Sequence, residues 1–259
     1  MMNSVWPNLH WQLFDYYLNT AGCFFGVKVG ARPEHVSYNY ENNTIYLINR
    51  LNALDDGDDG TRSVSVDLID TTGASLSSQQ VNTTTKPNHS KEIANVSAAY
   101  DKISDVAFLR LVLSDKNENV LSRNVYWLTP QHDVLQWDNS TWYYTPITTY
   151  SNYTALQNLS TANVETTVTP SSSSDSSDST TTTLQVQLDN KSKTPAFFIR
   201  LVLIDSTTNE NINPPYWSDN YVTLFPEESL TLTVSFDSQL SSSPAVEVSG
   251  GNVETKIVQ

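Results

Sequence analysis

The chain has 259 residues, enough for two domains, and its 28 acidic residues against 14 basic ones give a net charge of −14. This charge argues against nucleic acid or an anionic membrane surface as a partner, because both repel an acidic protein. The sequence has one cysteine, Cys23, and four scattered histidines without the spacing of a metal site, so we expect no metal, cofactor or intrachain disulfide. An apolar share of 38% with abundant Ser, Thr and Asn favours a β-rich protein with a polar surface.

The first 33 residues differ in pattern from the rest. The apolar piece Met1–Val5 predicts a strand, and Thr20 is placed to cap a helix that runs to about Ala31. Cys23 falls in that apolar helix, where a buried thiol is the default. The start lacks a basic stretch followed by an apolar run, which indicates either a cytoplasmic protein or a start that is not the true one.

From Glu34 onward, polar and apolar residues alternate. The runs 36–40, 44–48 and 64–68 are rich in β-branched and aromatic residues and predict strands of an antiparallel sandwich. The Asp- and Gly-rich run 55–60 lacks the spacing of a calcium-binding loop, so we interpret it as a solvated hairpin turn.

A repeat at an offset of 90 residues indicates two related domains. Phe108–Asp115 matches Phe198–Asp205, and each copy is followed by Asn-Glu-Asn and then by Tyr-Trp, at 126–127 and 216–217. An apolar strand, an acidic turn and a second strand describe a hairpin in each copy. The boundary between the two sandwiches is expected near Thr129–Gln131.

The second sandwich contains a low-complexity segment. Pro170–Thr183 is almost entirely Ser, Thr and Asp, which predicts a mobile hairpin tip. Leu184–Leu188 and Leu230–Phe236 alternate in polarity and predict strands with one buried face each.

Candidate catalytic groups are few. The sequence has no Gly-rich phosphate loop and no Gly-x-Ser-x-Gly motif, and most of its carboxylates fall in turns or on polar faces. Asp15 follows an aromatic segment, but an acid just before a helix is more often a cap than a catalytic acid. No catalytic residue is therefore assigned.

Two groups of aromatic residues could bind sugars, because aromatic faces stack on the C–H faces of sugar rings. For the first group we favour packing in the core or between domains. For the second group we favour packing at the joint between the two sandwiches. The two groups are Trp6, Trp11, Phe14, Tyr16 and Tyr17, and then Trp137, Trp142, Tyr143 and Tyr144.

Asn-x-Ser/Thr sequons hint at secretion, although a chain so rich in Asn, Ser and Thr contains several by chance. The possible glycosylation sites are Asn42, Asn82, Asn88, Asn95, Asn139, Asn152, Asn158 and Asn190.

Several segments resemble one enzyme family. Residues 1–18 resemble the last barrel strand and following loop of exo-β-D-glucosaminidases, in the β-mannosidase and β-galactosidase superfamily (glycoside hydrolase family two). Further segments resemble the last barrel helix and the two C-terminal immunoglobulin-like domains of that family: 21–22, 25–26, 122–128, 142–146, 195–197, 216–220 and 224–226.

The resemblance implies a mainly β chain with two tandem immunoglobulin-like β-sandwiches, 34–130 and 131–259. A remnant of a barrel precedes them in the chain. Residues 1–33 would be strand 8 and helix 8 of a truncated (β/α)8 catalytic barrel, and Asn3 and Trp6 would line its substrate pocket. The family's catalytic glutamates lie on earlier barrel strands, so we expect this chain to lack them and to be inactive alone. A truncated gene product, a pseudogene or an expressed fragment would each explain such a start.

The implied activity is that of a retaining hydrolase releasing glucosamine from the non-reducing end of chitosan and its oligosaccharides. The full-length parent would be extracellular, and acidic charge suits a polycationic substrate. The alternatives are a stand-alone sugar-binding protein and a structural β-sandwich protein. Only the resemblance favours glucosaminidase specificity over mannosidase specificity. If the barrel is missing, residues 1–33 are expected to lack packing partners and to be protease-sensitive.

Overall fold

The computed structural model describes residues 13–171 and 180–259. The chain forms two compact units, a first sandwich of residues 29–158 and a second sandwich in which residues 13–28 join those from 159 onward. Residues 131–158 thus lie with the first unit, whereas the sequence predicts a domain boundary near residue 130. The described helices are α1 (Gly22–Gly30) and α2 (Ser97–Tyr100), and neither is long and apolar enough to span a membrane.

The first sandwich is built from two antiparallel sheets. A three-stranded sheet has the order β1-β2-β5, and a four-stranded sheet has the order β4-β3-β6-β7. The strands are β1 (Glu34–Asn39), β2 (Thr44–Asn49), β3 (Thr61–Asp70), β4 (Ser75–Thr84), β5 (His89–Asn95), β6 (Ala107–Asp115) and β7 (Val120–Leu128).

The alternation predicted from the sequence explains the core of this sandwich. Successive side chains of a strand point to opposite faces, so every second apolar residue is buried. Each fully buried aliphatic side chain contributes about 1.5–3 kcal/mol. Those facing the core include Val36, Ile45, Leu47, Val64, Val66, Leu68, Leu109, Leu111 and Leu113.

The Asp- and Gly-rich run 55–60 is not a hairpin turn, and that prediction is wrong. Both edges of β2 are already paired, with β1 and β5, so the chain after β2 must cross to the other sheet to form β3. Asp58 and Asp59 order the crossing, because their carboxylates accept the backbone N–H groups of Gly60 and Thr61, each at 2.9 Å.

A short hairpin follows the last strand of the first sandwich. It consists of β8 (Val134–Leu135) and β9 (Ile147–Thr149), with a 3₁₀ turn at Trp137–Asn139.

The second sandwich also has two antiparallel sheets, in the orders β10-β11-β15-β13 and β14-β12-β16-β17. Its strands are β10 (Val164–Pro170), β11 (Thr181–Asn190), β12 (Ala196–Asp205), β13 (Tyr216–Trp217), β14 (Val222–Leu224), β15 (Ser229–Asp237), β16 (Pro244–Ser249) and β17 (Lys256–Val258). As predicted, Leu184, Val186 and Leu188 share the buried face of β11.

Helix α1 has packing partners in this unit, contrary to the expectation of an unpartnered remnant. Phe25 is 3% exposed within the core of the second sandwich, and Phe24 packs against the same cluster. Lys28 Nζ donates to the Trp217 carbonyl at 2.7 Å. Cys23 is exposed rather than buried, because the helix turns Phe25 and not the thiol toward the core.

The repeated hairpin is confirmed in the first copy and wrong in the second. Strands β6 and β7 pair along their length, as predicted. In the second copy the pairing shrinks to an isolated bridge between Ile204 and Asn211, and Tyr216–Trp217 then pairs with β15 in the other sheet. Pro214 and Pro215 lie between the bridge at Asn211 and the strand at Tyr216–Trp217. They lack the N–H donors that a continuing ladder requires.

The predicted mobile tip at 170–183 lies mostly outside the described residues, which omit 172–179. Its last part belongs to a strand, because Thr181, Thr182 and Thr183 pair with residues 235–237 of β15.

Candidate functional site

Asn3 and Trp6, the substrate-pocket residues implied by the resemblance, lie outside the described residues, as does Trp11. Of the same aromatic group, Phe14 packs on Phe24 with ring centroids 5.2 Å apart. Tyr16 and Tyr17 are exposed.

Asp15 orders a turn and does not cap helix α1. Its carboxylate accepts the backbone N–H groups of Tyr17 (2.8 Å) and Asn19 (2.9 Å), and the Asn19 side chain donates to it at 3.0 Å. Asn19 in turn accepts hydrogen bonds from Asn211 and Asn213 in the loop after β12. The geometry supports the structural interpretation of Asp15 over a catalytic one.

The second aromatic group forms an exposed surface on the β8–β9 hairpin, residues 134–149, which we call the aromatic hairpin. Trp142, Tyr143, Trp137 and Tyr144 are 93%, 73%, 70% and 55% exposed. Large apolar side chains grouped on a surface indicate a binding site more often than isolated ones do.

Hydrogen bonds hold the tip of the aromatic hairpin. The backbone N–H of Thr141 donates to the Tyr144 carbonyl at 2.7 Å, and the N–H of Tyr144 donates to Thr141 Oγ1 at 3.1 Å. Trp142 and Tyr143, between them, meet edge to face at 4.9 Å. The two rings are therefore presented by an ordered turn.

The chemistry of this surface suits a neutral or cationic sugar. Residues 131–158 contain two carboxylates, Asp133 and Asp138, and no lysine or arginine. Aromatic faces stack on sugar rings and attract ammonium groups, and hydroxyl and amide side chains between the rings can bond sugar hydroxyls.

A buried charge network in the first sandwich was not found from the sequence. Arg62 donates to both carboxylate oxygens of Glu34, at 2.7 and 2.9 Å, and to both oxygens of Asp58, at 2.9 and 2.7 Å. The hydrogen bonds from Arg62 lower the pKa of Asp58 to about 2. The sequence signal for it is an arginine near the start of a strand, three residues after the last aspartate of an acidic run.

A cleft of about 450 Å³ lies beside this network, lined by charged residues that include Arg32, Asp55, Asp58 and Lys116. Lys116 donates to the Gly57 carbonyl at 2.6 Å. No group of His, Cys, Asp or Glu side chains in residues 13–171 and 180–259 has the arrangement of a metal site. Through Arg62, the network joins Glu34 of β1 to Asp58 in the crossing between the two sheets.

The structure separates the eight sequons by exposure. Asn190 is 1% exposed, and its side-chain nitrogen donates to the carbonyls of Thr194 (2.9 Å) and Leu224 (3.0 Å). A glycan on that nitrogen is incompatible with this packing. The asparagines of the other seven sequons are exposed: Asn42, Asn82, Asn88, Asn95, Asn139, Asn152 and Asn158.

Two family models match the chain. Residues 42–133 match the mannosidase Ig/CBM-like domain, and residues 142–253 match the Ig-fold domain of exo-β-D-glucosaminidase. Both sandwiches therefore contain Ig-like domains.

Relatives match the chain over its whole length. It is 47% identical over 260 residues to the exo-β-D-glucosaminidase of Hypocrea virens and 35% identical over 263 residues to that of Streptomyces avermitilis. In both cases 100% of this chain aligns but only 28% of the relative, so the chain spans just over a quarter of the length of these relatives.

Solved structures agree with this relationship. The exo-chitosanase CsxA of Amycolatopsis orientalis superimposes with a TM-score of 0.88 at 32% identity, covering 99% of this chain and 30% of that one. A complex of a CsxA variant with PNP-β-D-glucosamine matches with a TM-score of 0.89 at 31% identity, covering 100% of this chain and 30% of that one. The chain is thus a homologue of the C-terminal part of the exo-β-D-glucosaminidases, the part that carries their Ig-fold domains.

Proposed function

We propose that this chain is the C-terminal accessory region of a retaining exo-β-D-glucosaminidase, which releases glucosamine from the non-reducing end of chitosan and chitooligosaccharides. The observation that carries the proposal is the alignment of this whole chain, at 47% identity, with 28% of an exo-β-D-glucosaminidase. In this function the catalytic glutamates belong to a barrel outside the chain, and the two sandwiches support that barrel.

Further parts of the proposal follow from the same relationship. Residues 1–33 contribute the last strand and helix of the barrel, and Asn3 and Trp6 line the substrate pocket. The parent enzyme is extracellular and glycosylated. The net charge of −14 favours approach of a polycationic sugar polymer.

A chimera tests the proposal. The matching C-terminal segment of the Amycolatopsis exo-chitosanase is replaced by this chain, and release of nitrophenol from PNP-β-D-glucosamine is measured. We expect the chimera to have activity within about tenfold of the unmodified exo-chitosanase. We expect no activity from this chain alone, and none from the exo-chitosanase truncated before the segment.

Two results would contradict the proposal. One is a chimera that folds, as judged by its melting profile, but has no more activity than the truncated enzyme. The other is hydrolysis of PNP-β-D-glucosamine by this chain alone, which would place the catalytic groups within these 259 residues.

The aromatic hairpin favours a second candidate function, a carbohydrate-binding module that acts without a barrel. Chitosan oligosaccharides stacked on Trp142 would quench its fluorescence, because its indole is almost fully exposed. We expect the W142A variant to lose this quenching and a variant of the buried Trp217, W217F, to keep it. The absence of quenching at millimolar oligosaccharide would exclude this function.

A further inference from the structure

The β1–β2 turn combines three features at the sequon of Asn42. Asn39 pairs with Thr44, so residues 40–43 form the loop, and Asn43 adopts the left-handed conformation with φ of 56°. Tyr40 precedes Asn42 by two residues, and Thr44 is the sequon threonine. An aromatic ring, an asparagine and a threonine thus alternate through one tight turn.

The turn fixes the orientation of the Asn42 amide. Asn42 Oδ1 accepts the backbone N–H of Thr44 at 3.2 Å and also the Thr44 hydroxyl. Within the described residues, Asn42 Nδ2, the atom that carries an N-linked glycan, has no hydrogen-bond partner. The carbonyl side of the amide is therefore held by the turn while its nitrogen remains available.

The ring of Tyr40 is held in place and yet exposed. Its hydroxyl donates to the Trp127 carbonyl at 3.3 Å, and its ring meets those of Tyr38 and Tyr126 at 4.9 and 6.0 Å. The side chain is nevertheless 42% exposed. Because the Cα atoms of residues two apart are at most about 7 Å apart, the first sugar on Asn42 is within reach of this ring.

The other sequons lack this combination. Asn139 and Asn152 also follow an aromatic residue by two positions, but the Thr141 hydroxyl donates to the Tyr144 carbonyl instead of its own asparagine. For Asn152, only the backbone N–H of Thr154 donates to the amide oxygen. Asn82 is exposed on β4 with Gln80 at the corresponding position, which makes it a matched non-aromatic control.

We propose that Asn42 is an N-glycosylation site whose first N-acetylglucosamine stacks on the ring of Tyr40 and stabilises the first sandwich. In the modification, Asn42 Nδ2 bonds to the anomeric carbon of the sugar of a polyprenyl-diphosphate oligosaccharide. The sugar–diphosphate bond breaks, the polyprenyl diphosphate leaves, and Nδ2 loses one proton. The stack buries the apolar face of the sugar against the aromatic ring.

The test uses the full chain secreted from yeast behind a leader, with a C-terminal tag that carries a reporter sequon. Peptide mapping by mass spectrometry gives the occupancy of each site. Melting temperatures are compared for the wild-type chain, N42Q and N82Q, and for the same three chains made without glycans in bacteria. Trimming with an endoglycosidase that leaves one N-acetylglucosamine isolates the contribution of the first sugar.

We expect Asn42 to be occupied, and its glycan to raise the melting temperature by about 3 °C, a shift typical of one aromatic stack. The bacterial chains carry no glycan, so the difference between bacterial N42Q and bacterial wild type measures the effect of the amide substitution alone. This difference is subtracted from the one measured for the yeast chains. The gain should persist after trimming, disappear in a Y40L background, and have no counterpart at Asn82. An unoccupied Asn42 beside an occupied reporter would overturn the proposal, and so would a gain unchanged by Y40L.

Discussion

Arg62 on β3 and Glu34 on β1 form a bidentate ion pair that joins the two sheets of the first sandwich. Their side chains are 2% and 7% exposed, and the two hydrogen bonds are 2.7 and 2.9 Å long. Asp58, in the crossing between the sheets, binds the remaining side of the guanidinium. One arginine therefore holds a strand from each sheet and the loop between them.

Removing this arginine should strongly destabilise the first sandwich. We expect R62M to lower the free energy of unfolding by about 3–5 kcal/mol, because it leaves the Glu34 carboxylate buried and unpaired. The double variant E34L/R62M should recover much of the loss, since replacing a buried ion pair by apolar groups is often neutral. Urea denaturation, monitored by fluorescence, gives the free energy of unfolding of the wild-type chain, R62M and E34L/R62M.

Arg110 provides the matched control. It pairs with Asp67 at 3.0 Å but is only half-buried, and Asp67 also accepts hydrogen bonds from Ser65 and Ser78. We expect R110M to cost about 1 kcal/mol. Equal losses for R62M and R110M would show that the burial of the Arg62 pair does not determine its contribution.

The same network predicts loss of stability in acid. The hydrogen bonds from Arg62 hold the pKa of Asp58 at about 2 in the folded chain, below its ordinary value of 3.8. A lowered carboxylate pKa means that the unfolded chain binds the proton first, so the stabilisation is complete above about pH 5 and is lost as pH falls toward 2. We expect Asp58 to contribute about 1–2 kcal/mol to this loss.

Unfolding free energies between pH 2 and pH 6 test this expectation. D58N should be less stable than wild type at pH 6, and its free energy of unfolding should depend less on pH. D56N, in the same exposed loop, should show the same dependence on pH as wild type. A D58N curve parallel to wild type over this range would assign the acid sensitivity to other groups.

Local patterns in the sequence predicted much of the fold. Alternation in β11 and β15 identified strands with one buried face each, and the acidic turn after β6 identified a hairpin. These signals work because the period of a strand and the geometry of a turn are properties of neighbouring residues.

The remaining contacts depend on partners that are distant in sequence. The repeat predicts the wrong partner for the two residues of β13, because their actual partner strand begins twelve residues later and prolines break the local ladder. Arg62 and Glu34 are 28 residues apart. In the candidate site, the sequence identified the aromatic rings, whereas their exposure depends on the fold.

Asn190 offers a test in the second sandwich. Its amide nitrogen donates to the carbonyls of Thr194 and Leu224, and its amide oxygen accepts the N–H of Ser192 at 3.0 Å. We expect N190D to lower the free energy of unfolding by about 2 kcal/mol, because the Asn190 amide nitrogen no longer donates to the carbonyls of Thr194 and Leu224.

The exposed Asn158 serves as the control, and N158D should leave the free energy of unfolding within about 0.5 kcal/mol of wild type. Peptide mapping of the secreted chain should find Asn190 unmodified. A glycan at Asn190 in a folded chain would contradict the packing described for it.

Helix α1 supplies the last prediction, because its contact with the second sandwich replaces the expectation of an unpartnered segment. Phe25 is 3% exposed, whereas Val27 on the same helix is 56% exposed. We expect F25A to lower the free energy of unfolding by about 3–5 kcal/mol through the cavity that it leaves, and V27A to change it by less than about 0.5 kcal/mol. Limited proteolysis should cleave α1 faster in F25A than in wild type or V27A. Rapid cleavage of α1 in the wild-type chain would instead support the expectation that this helix lacks packing partners.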